Sequence, residues 1–164
     1  MKNFYTWEDL ESIKNLAEKY KLKKIYITGD IGTGKSCFCR KFTEQVNGYR
    51  LIDLDEERDK DSNKSRNEVL SEVIKENKGN SYILEHYQLL DGEEGQNTLA
   101  IWEKEADILI LLNPKKENIQ NGADYDTSPI QKSNFDRLDG KIIYCNSATG
   151  TYVKRMNKKD ESSK

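Results

Sequence analysis

The sequence predicts an α/β fold, with one parallel β-sheet covered by helices in three layers. Two observations support this fold class. Segments with apolar residues at helical spacing alternate along the chain with short runs of β-branched and aromatic residues. Those short runs are almost continuously apolar, as in strands that are buried on both faces. The length of 164 residues suits one compact domain, and we expect residues 1–164 to form it.

The first half of the chain predicts two helices and two strands. Thr6 and Asp9 form a capping-box pattern, and the apolar residues that follow recur at helical spacing, so a helix is expected over 7–20. The next expected elements are a strand at 23–28, a helix at 35–46 and a strand at 49–54. The charge-dense stretch 55–64 is typical of a solvated loop or a helix start.

The second half predicts three more strands and shorter helices. A helix is expected over 66–78, with Gly79 placed to end it. A turn-rich loop is expected at 91–97, and a short helix that carries Leu99 and Trp102 follows it. The remaining expectations are strands at 81–85, 107–112 and 141–145, an irregular segment at 115–139 with one short helix around Phe135, a last helical turn or two at 151–157, and a frayed tail at 158–164.

Composition limits the partners that we expect. The 27 basic and 29 acidic residues leave a net charge near −2, so no global basic field supports nucleic-acid binding, although a local basic groove stays open. Cys37, Cys39 and Cys145 form no C-x-x-C pair, and His86 is the only histidine, so we expect reduced structural cysteines and no zinc site. The start of the chain lacks a signal-peptide pattern, and the longest apolar run, 108–112, is too short to span a bilayer. We therefore expect a cytoplasmic protein with no membrane partner.

A glycine-rich motif carries the strongest functional prediction. Residues 29–36 read G-D-I-G-T-G-K-S and match the pattern G-x-x-x-x-G-K-[ST] at every fixed position. Gly29 and Gly34 let the backbone approach phosphate, and successive amides form an anion nest at the start of the following helix. Lys35 supplies a charge for the β- and γ-phosphates, and the Ser36 hydroxyl is a magnesium ligand. The expected contacts of Mg²⁺ and ATP come from Gly29, Asp30, Ile31, Gly32, Thr33, Gly34, Lys35, Ser36 and Cys37.

Acidic residues follow two of the predicted strands. If the strand at 49–54 continues, alternation places Asp53 and Asp55 on one face at its carboxyl end, where open α/β sheets bind ligands. One carboxylate, assigned to Asp53, would hold magnesium through water, and Asp55 would accept a proton from a substrate hydroxyl. An exposed acidic loop is the alternative for this pair. Glu85 ends an apolar strand. An acidic residue in this position orients magnesium or water in many nucleotide-binding sites, so we expect the same role for Glu85.

Together the glycine motif, the Asp53/Asp55 pair, Glu85 and the final strand resemble the P-loop nucleoside/nucleotide-kinase-like superfamily, which includes shikimate, dephospho-coenzyme A and nucleoside monophosphate kinases. The resemblance covers residues 23–155. It implies a five-stranded parallel sheet in the order 2-3-1-4-5, and it places Asn146 in a loop that packs on adenine. The spacing of Asp55 and Arg58 resembles the substrate-side motif of polynucleotide 5′-kinases, which implies that Asp55 is a base and Arg58 a phosphate clamp.

The same kinases carry arginines in a lid after the fourth strand, which neutralise the transferring phosphoryl group. Residues 113–136 contain no arginine here. Arg137 or Arg155 could neutralise the phosphoryl group instead, or lysines in the segment could do so. The remaining alternative is a protein with slow turnover. The lysines are Lys115, Lys116 and Lys132.

We therefore expect an ATP-dependent kinase that transfers the γ-phosphoryl group to a small-molecule, nucleotide or nucleic-acid acceptor. The absence of an N-K-x-D motif makes guanine specificity less expected. The alternative is a small ATPase that acts as a partner-dependent switch, because residues 27–42 resemble the P-loop region of the ATPase family that assists tRNA threonylcarbamoylation. That family has a Ser-Pro-Thr switch segment where this chain has only Asn47 and Gly48. A nucleotide-binding module with little catalysis is a third reading.

Overall fold

The computed structural model describes residues 6–29, 34–60, 63–86, 92–113 and 129–156, with backbone alone for 129–131. The helices in these ranges are α1 Trp7–Tyr20, α2 Lys35–Gln45, α3 Leu54–Asp59, α4 Arg66–Glu76, α5 Gly92–Glu105 and α6 Pro129–Arg137. The strands are β1 Lys24–Gly29, β2 Arg50–Asp53, β3 Tyr82–Glu85, β4 Ile108–Leu112, β5 Gly140–Asn146 and β6 Thr151–Met156. The α/β class predicted from the alternating pattern is confirmed.

The six strands found in the described ranges form one mixed sheet in the order β2-β3-β1-β4-β6-β5. The pairs β2–β3, β3–β1 and β1–β4 are parallel, whereas β6 is antiparallel to both β4 and β5. The expected purely parallel sheet of five strands in the order 2-3-1-4-5 is therefore wrong. The last strand of the chain lies between β4 and β5, and so it separates two strands that were expected to be neighbours.

The prediction of a helical turn at 151–157 is wrong, because the segment 151–156 is a strand that pairs with β4 and β5. The segment 151–156 mixes β-branched and aromatic residues with lysine and arginine, and Thr151 and Val153 are buried on the sheet. A tight turn at 147–150 reverses the chain directly after β5, and Gly150 has a φ of 76°, which favours glycine. Because two antiparallel strands joined by such a turn form a hairpin, pairing with β5 decides the conformation of this segment.

The expected loop at 91–97 is also wrong, because α5 begins at Gly92. Glu93 and Glu94 lie in its first turn, where negative side chains favour the positive end of the helix dipole. The hydroxyl of Thr98 donates to Asn67 of α4 at 2.7 Å, and the amide of Asn67 donates to the Glu94 carbonyl at 3.1 Å. These contacts with α4 stabilise a turn whose glycine content suggests a loop.

Helices cover both faces of the sheet, and each face has its own apolar core. The core on the side of α1 and α2 includes Leu10, Ile13, Ala17, Ile25, Ile27, Phe38, Phe42, Ile83 and Ile110. The core on the side of α4, α5 and α6 includes Leu70, Val73, Tyr82, Leu84, Trp102, Leu109 and Phe135. Full burial of one large apolar side chain stabilises the fold by about 1.5–3 kcal/mol, so these two cores hold the helices against the sheet.

The directions of α1 and α2 follow from their connections to β1. The helix α1 ends just before β1 and α2 follows it, so both helices run antiparallel to this strand. Their first turns therefore lie at the same edge of the sheet as Gly29, the last residue of β1. We call this edge, where β1, β2, β3 and β4 end, the carboxyl edge. Among the described residues, no helix combines the length and apolar character needed to cross a membrane.

Candidate functional site

The strand register brings two carboxylates together at the carboxyl edge. Asp53 ends β2 and pairs with Glu85, the last residue of β3, and Glu85 in turn pairs with Ile27 of β1. Glu85 follows Ile83 by two residues, and Ile83 belongs to the core under α2, so both lie on that face of the sheet. The first turn of α2 lies on this face, directly after the glycine motif.

The start of α2 presents backbone amides without a side-chain cap. Gly34 is the N-cap residue, with a φ of 86°, and no side chain caps the helix or adds a negative charge to its first turn. Uncapped amides and the helix dipole attract anions at such a terminus. The Nζ of Lys35 donates to the Gly29 carbonyl at 2.8 Å, so the two ends of the motif are joined. Asp30, Ile31, Gly32 and Thr33 lie outside the described residues, whereas Ser36 and Cys37 continue the first turn of α2.

The first turn of α2 is also joined to β3. The Ser36 hydroxyl donates to Oε2 of Glu85 at 2.5 Å. Burial raises the pKa of the Glu85 carboxyl, and the negative charge of Asp53 adds to this, whereas the hydrogen bond from Ser36 and the charge of Lys35 oppose it. A bound cation would compensate for the loss of solvation of this carboxylate. Hydroxyl and carboxylate oxygens are also the ligands that Mg²⁺ prefers, so the residues fit that ion.

Asp53 has a structural role that the sequence pattern did not show. Its Oδ1 accepts hydrogen bonds from the amides of Asp55 at 3.0 Å and Glu56 at 3.4 Å, so Asp53 is the N-cap of α3. The expectation that strand alternation puts Asp53 and Asp55 on one face is wrong, because β2 ends at Asp53 and Asp55 is helical. The charge-dense stretch is thus a helix start, one of its two expected forms.

Charged side chains at the carboxyl edge nevertheless act on Asp55. Burial raises the pKa of its carboxyl and Asp53 adds to the shift, whereas the positive charges of Arg66 and Lys35 oppose it. Arg66 is the first residue of α4, directly after the capping residue Ser65. The sequence interpretation missed Arg66 as a neighbour of Asp55, although the capping-box pattern at Ser65 and Glu68 marks where α4 starts.

Arg58 lies on α3, one turn after Leu54, and it is half-buried. Its Nε is buried and has no hydrogen-bond partner among the described residues. Buried guanidinium nitrogens usually have a partner, so this N–H is chemically suited to donate a hydrogen bond to an anionic group.

Asn146 ends β5, and its side chain is engaged within the protein. Its amide donates to Oδ1 of Asp9 at 2.8 Å, and its Oδ1 accepts from the Ala148 amide at 3.1 Å. Asp9 is fully buried and also accepts hydrogen bonds from the hydroxyls of Thr151, at 3.2 Å, and Tyr144. Burial raises the pKa of Tyr144 to about 12, so this phenol stays a donor at neutral pH. This network fixes the β5–β6 turn to the start of α1.

Of the two arginines considered for a lid, one lies at the opposite edge of the sheet and the other donates hydrogen bonds to neighbouring side chains. Arg155 pairs with Ile108, the first residue of β4, and its guanidinium lies 4.3 Å from the ring centre of Tyr20. This position is at the opposite edge of the sheet from Ser36. Arg137 donates to Asn134 at 2.8 Å and to Gln96 at 3.3 Å. Lys132 forms a salt bridge with Asp136, whereas Lys115 and Lys116 lie outside the described residues.

The histidine and the three cysteines lie in different surroundings. His86 is buried on the opposite face of the sheet from Glu85. Its ring packs edge-on against the Trp102 ring, with the ring centres 4.8 Å apart. Cys37, Cys39 and Cys145 form no disulfide bond, and burial raises the pKa of Cys39. In the part of the chain that the structure describes, no three His, Cys, Asp or Glu side chains form a group that holds a metal. Magnesium ligands from this chain would therefore come from Ser36, Glu85 and Asp53, with the remainder from phosphate and water.

Comparisons with known proteins returned no relative: no protein-family model, no curated protein and no solved structure matches this chain.

Proposed function

We propose that this protein binds a nucleoside triphosphate with Mg²⁺ at the start of α2 and transfers its γ-phosphoryl group to an acceptor beside α3. The observation that supports this most directly is the 2.5 Å hydrogen bond between the Ser36 hydroxyl and Glu85. It joins the last residue of the G-x-x-x-x-G-K-S motif to the carboxylate that ends the neighbouring strand. A chance glycine-lysine sequence has no physical reason to meet a half-buried acidic side chain at this edge.

The phosphate side of the proposed site uses Gly34, Lys35 and Ser36. The backbone amides at the start of α2 donate to phosphate oxygens, and Lys35 moves its ammonium group from the Gly29 carbonyl to the β- and γ-phosphates. Bound magnesium neutralises charge on the phosphates and orients them. The Ser36 hydroxyl and the Glu85 carboxylate then hold the metal or its water, because both oxygens already lie together.

The acceptor side of the proposed site uses Asp55 and Arg58. Asp55 accepts the proton of the attacking hydroxyl, and its raised pKa favours this role because a base works best when its pKa approaches the working pH. Arg58 binds an anionic group of the acceptor through a guanidinium whose Nε has no hydrogen-bond partner among the described residues. The acceptor is thus a hydroxyl compound with an anionic group, such as a nucleotide.

The partner-dependent switch is the weaker candidate. The helix α2 ends at Gln45 and β2 begins at Arg50. The four residues at 46–49 form the whole connection, read Val-Asn-Gly-Tyr, and contain no Ser-Pro-Thr segment. The kinase reading needs no such segment.

Two measurements test the proposal on the unmodified protein. Calorimetry should show binding of Mg-ATP, weakened when EDTA removes magnesium. ADP release should then increase when a panel of hydroxyl acceptors, including nucleosides and nucleoside monophosphates, is added. Release that increases only with a protein or tRNA partner would favour the switch, and binding without any release would favour a non-catalytic module. Absence of heat with both Mg-ATP and Mg-GTP would contradict nucleotide binding itself.

A further inference from the structure

A large aromatic side chain is exposed at the start of α1. Trp7 is the first residue of this helix, and 63% of its surface is accessible to solvent. Its position is well fixed, because Thr6 and Asp9 form a reciprocal capping box around it. Asp9 also binds Asn146 and Thr151, and these bonds attach the same turn to β5 and β6. An exposed tryptophan on a well-anchored backbone is suited to bind a flat ligand.

The helical positions show which flank of α1 carries Trp7. The flank with Asp9 faces β5, because Asp9 binds Tyr144 and Asn146. Trp7 lies instead on the flank of Glu18, since residues 11 apart are separated by only about 20° around a helix. The negative charge of Glu18 contributes to the raised pKa of Tyr49, so the two side chains are near each other. The rings of Tyr49 and Phe42 of α2 pack together, with their centres 5.2 Å apart. Trp7 is therefore on the side of α1 that faces α2.

The first residues of α1 and α2 relate the position of Trp7 to the proposed phosphate site. Both α1 and α2 begin at the carboxyl edge of the sheet, and they pack against each other on the same face. Trp7 is the first residue of one helix, and Lys35 is the first residue of the other. The start of α1, with Trp7, therefore lies at the same edge of the sheet as the start of α2. The turn after Asn146 lies at the same edge, on the far side of Asp9.

We propose that Trp7 stacks on the base of the nucleotide whose phosphates bind at the start of α2. This inference rests on the proposed function, because it takes the phosphates at Lys35 and Ser36 as the fixed end of the ligand. It adds a residue from α1, a helix that lies outside the glycine motif. Because every base presents a π-face, stacking on Trp7 strengthens binding with little discrimination between adenine and guanine.

Tryptophan fluorescence tests this inference directly. The chain has two tryptophans, and Trp102 is only 1% exposed, so Trp7 is the residue that a bound base reaches. Mg-ATP and Mg-GTP should both change the emission, whereas magnesium with inorganic triphosphate should bind without the same change. Trp7→Phe should remove the change and keep most of the affinity for ATP, because phenylalanine still stacks.

The affinity of a second variant gives an independent measure. Trp7→Ala should weaken Mg-ATP binding about 5- to 100-fold, the range for loss of one base–aromatic stack. Its affinity for inorganic triphosphate should stay unchanged. Ile142→Ala is the matched control, because this apolar residue is 45% exposed on β5 and should leave both affinities unchanged. Circular dichroism checks that each variant is folded.

The outcomes separate this inference from the proposed function. If triphosphate binds and Trp7→Ala leaves the affinity for ATP unchanged, the stacking role is wrong and the phosphate site stands. If neither ATP nor triphosphate binds the folded wild-type protein, the proposed function fails first, and the stacking role fails with it. Equal losses for ATP and triphosphate in Trp7→Ala would also overturn the stacking role, since the effect would then act on the phosphates.

Discussion

The hydroxyl of Ser36 lies 2.5 Å from Oε2 of Glu85 and joins two elements that are 49 residues apart in the chain. One partner ends the glycine motif at the start of α2, and the other ends β3. Burial raises the pKa of Glu85, so its charged form is costly without a compensating group. The contact therefore places a hydroxyl oxygen beside a carboxylate whose charge is only partly compensated by Ser36 and Lys35, and the proposed magnesium site rests on this pair.

Lys35→Ala should weaken Mg-ATP binding about 10- to 100-fold, because a charged hydrogen bond to phosphate is lost. Phosphoryl transfer should be abolished. Calorimetry and ADP release measure the two effects. Lys41→Ala is the control, since Lys41 is an exposed lysine on the same helix and should behave as wild type. Equal affinity in the two variants would contradict the role of Lys35.

Glu85→Gln should stabilise the ligand-free protein at neutral pH. The pKa of Glu85 is raised in the folded state, so between the unfolded pKa of about 4.3 and the folded pKa the folded protein binds more protons than the unfolded chain. Wild type then loses free energy of unfolding as pH rises through the folded pKa, whereas glutamine does not titrate. The stability difference, measured by urea unfolding, should grow from acid to neutral pH. Glu44→Gln, on the exposed side of α2, should give a difference that does not change with pH.

Asp55→Asn should lower kcat for phosphoryl transfer by about 10²–10⁴, the usual contribution of a general base, with little change in ATP affinity. Because the pKa of Asp55 is raised, the wild-type rate should fall as pH decreases through a value above the ordinary range for aspartate. Rates over a pH series and calorimetry measure both. Glu56→Gln, at the exposed neighbouring position, should leave the rate unchanged. Full activity in Asp55→Asn would remove this residue from the mechanism.

Asp9→Ala should lower the free energy of unfolding by on the order of 3 kcal/mol, since several donors lose their shared buried acceptor. The donors are the Thr6 amide, the Tyr144 and Thr151 hydroxyls and the Asn146 side chain. Chemical denaturation measures the change. Glu11→Ala, exposed on the same helix, should differ from wild type by less than about 0.5 kcal/mol. A similar small effect for Asp9→Ala would show that the network adds no stability.

Local signals predicted the elements around the glycine motif well. The helix expected over 7–20 is α1, with both hydrogen bonds of its capping box, and the helix expected from residue 35 is α2. Strands β1, β2, β3, β4 and β5 lie where apolar runs indicated them. Such signals extend over a few residues, so they are readable without the rest of the chain.

Other parts of the fold depended on contacts that short segments do not specify. The segment 151–156 is a strand because β4 and β5 offer it two partners, although its pattern left a helical turn open. The start of α5 is helical where its glycines indicated a loop, because Asn67 and Thr98 join it to α4. Asp55 lies on α3, since Asp53 caps that helix and ends β2. In each case a contact with another element outweighed the local preference.

By itself, the sequence determined the glycine motif, the lysine and serine that end it, and the strand and helix that flank it. These properties are local, because backbone conformation and motif spacing depend on neighbouring residues. Only the tertiary structure decided that Glu85 meets Ser36, that Asp9 is buried under the β5–β6 turn, and that Trp7 is exposed at the start of α1. Those relationships join residues as far as 142 positions apart, so they follow from sheet order and helix packing, which no single segment encodes.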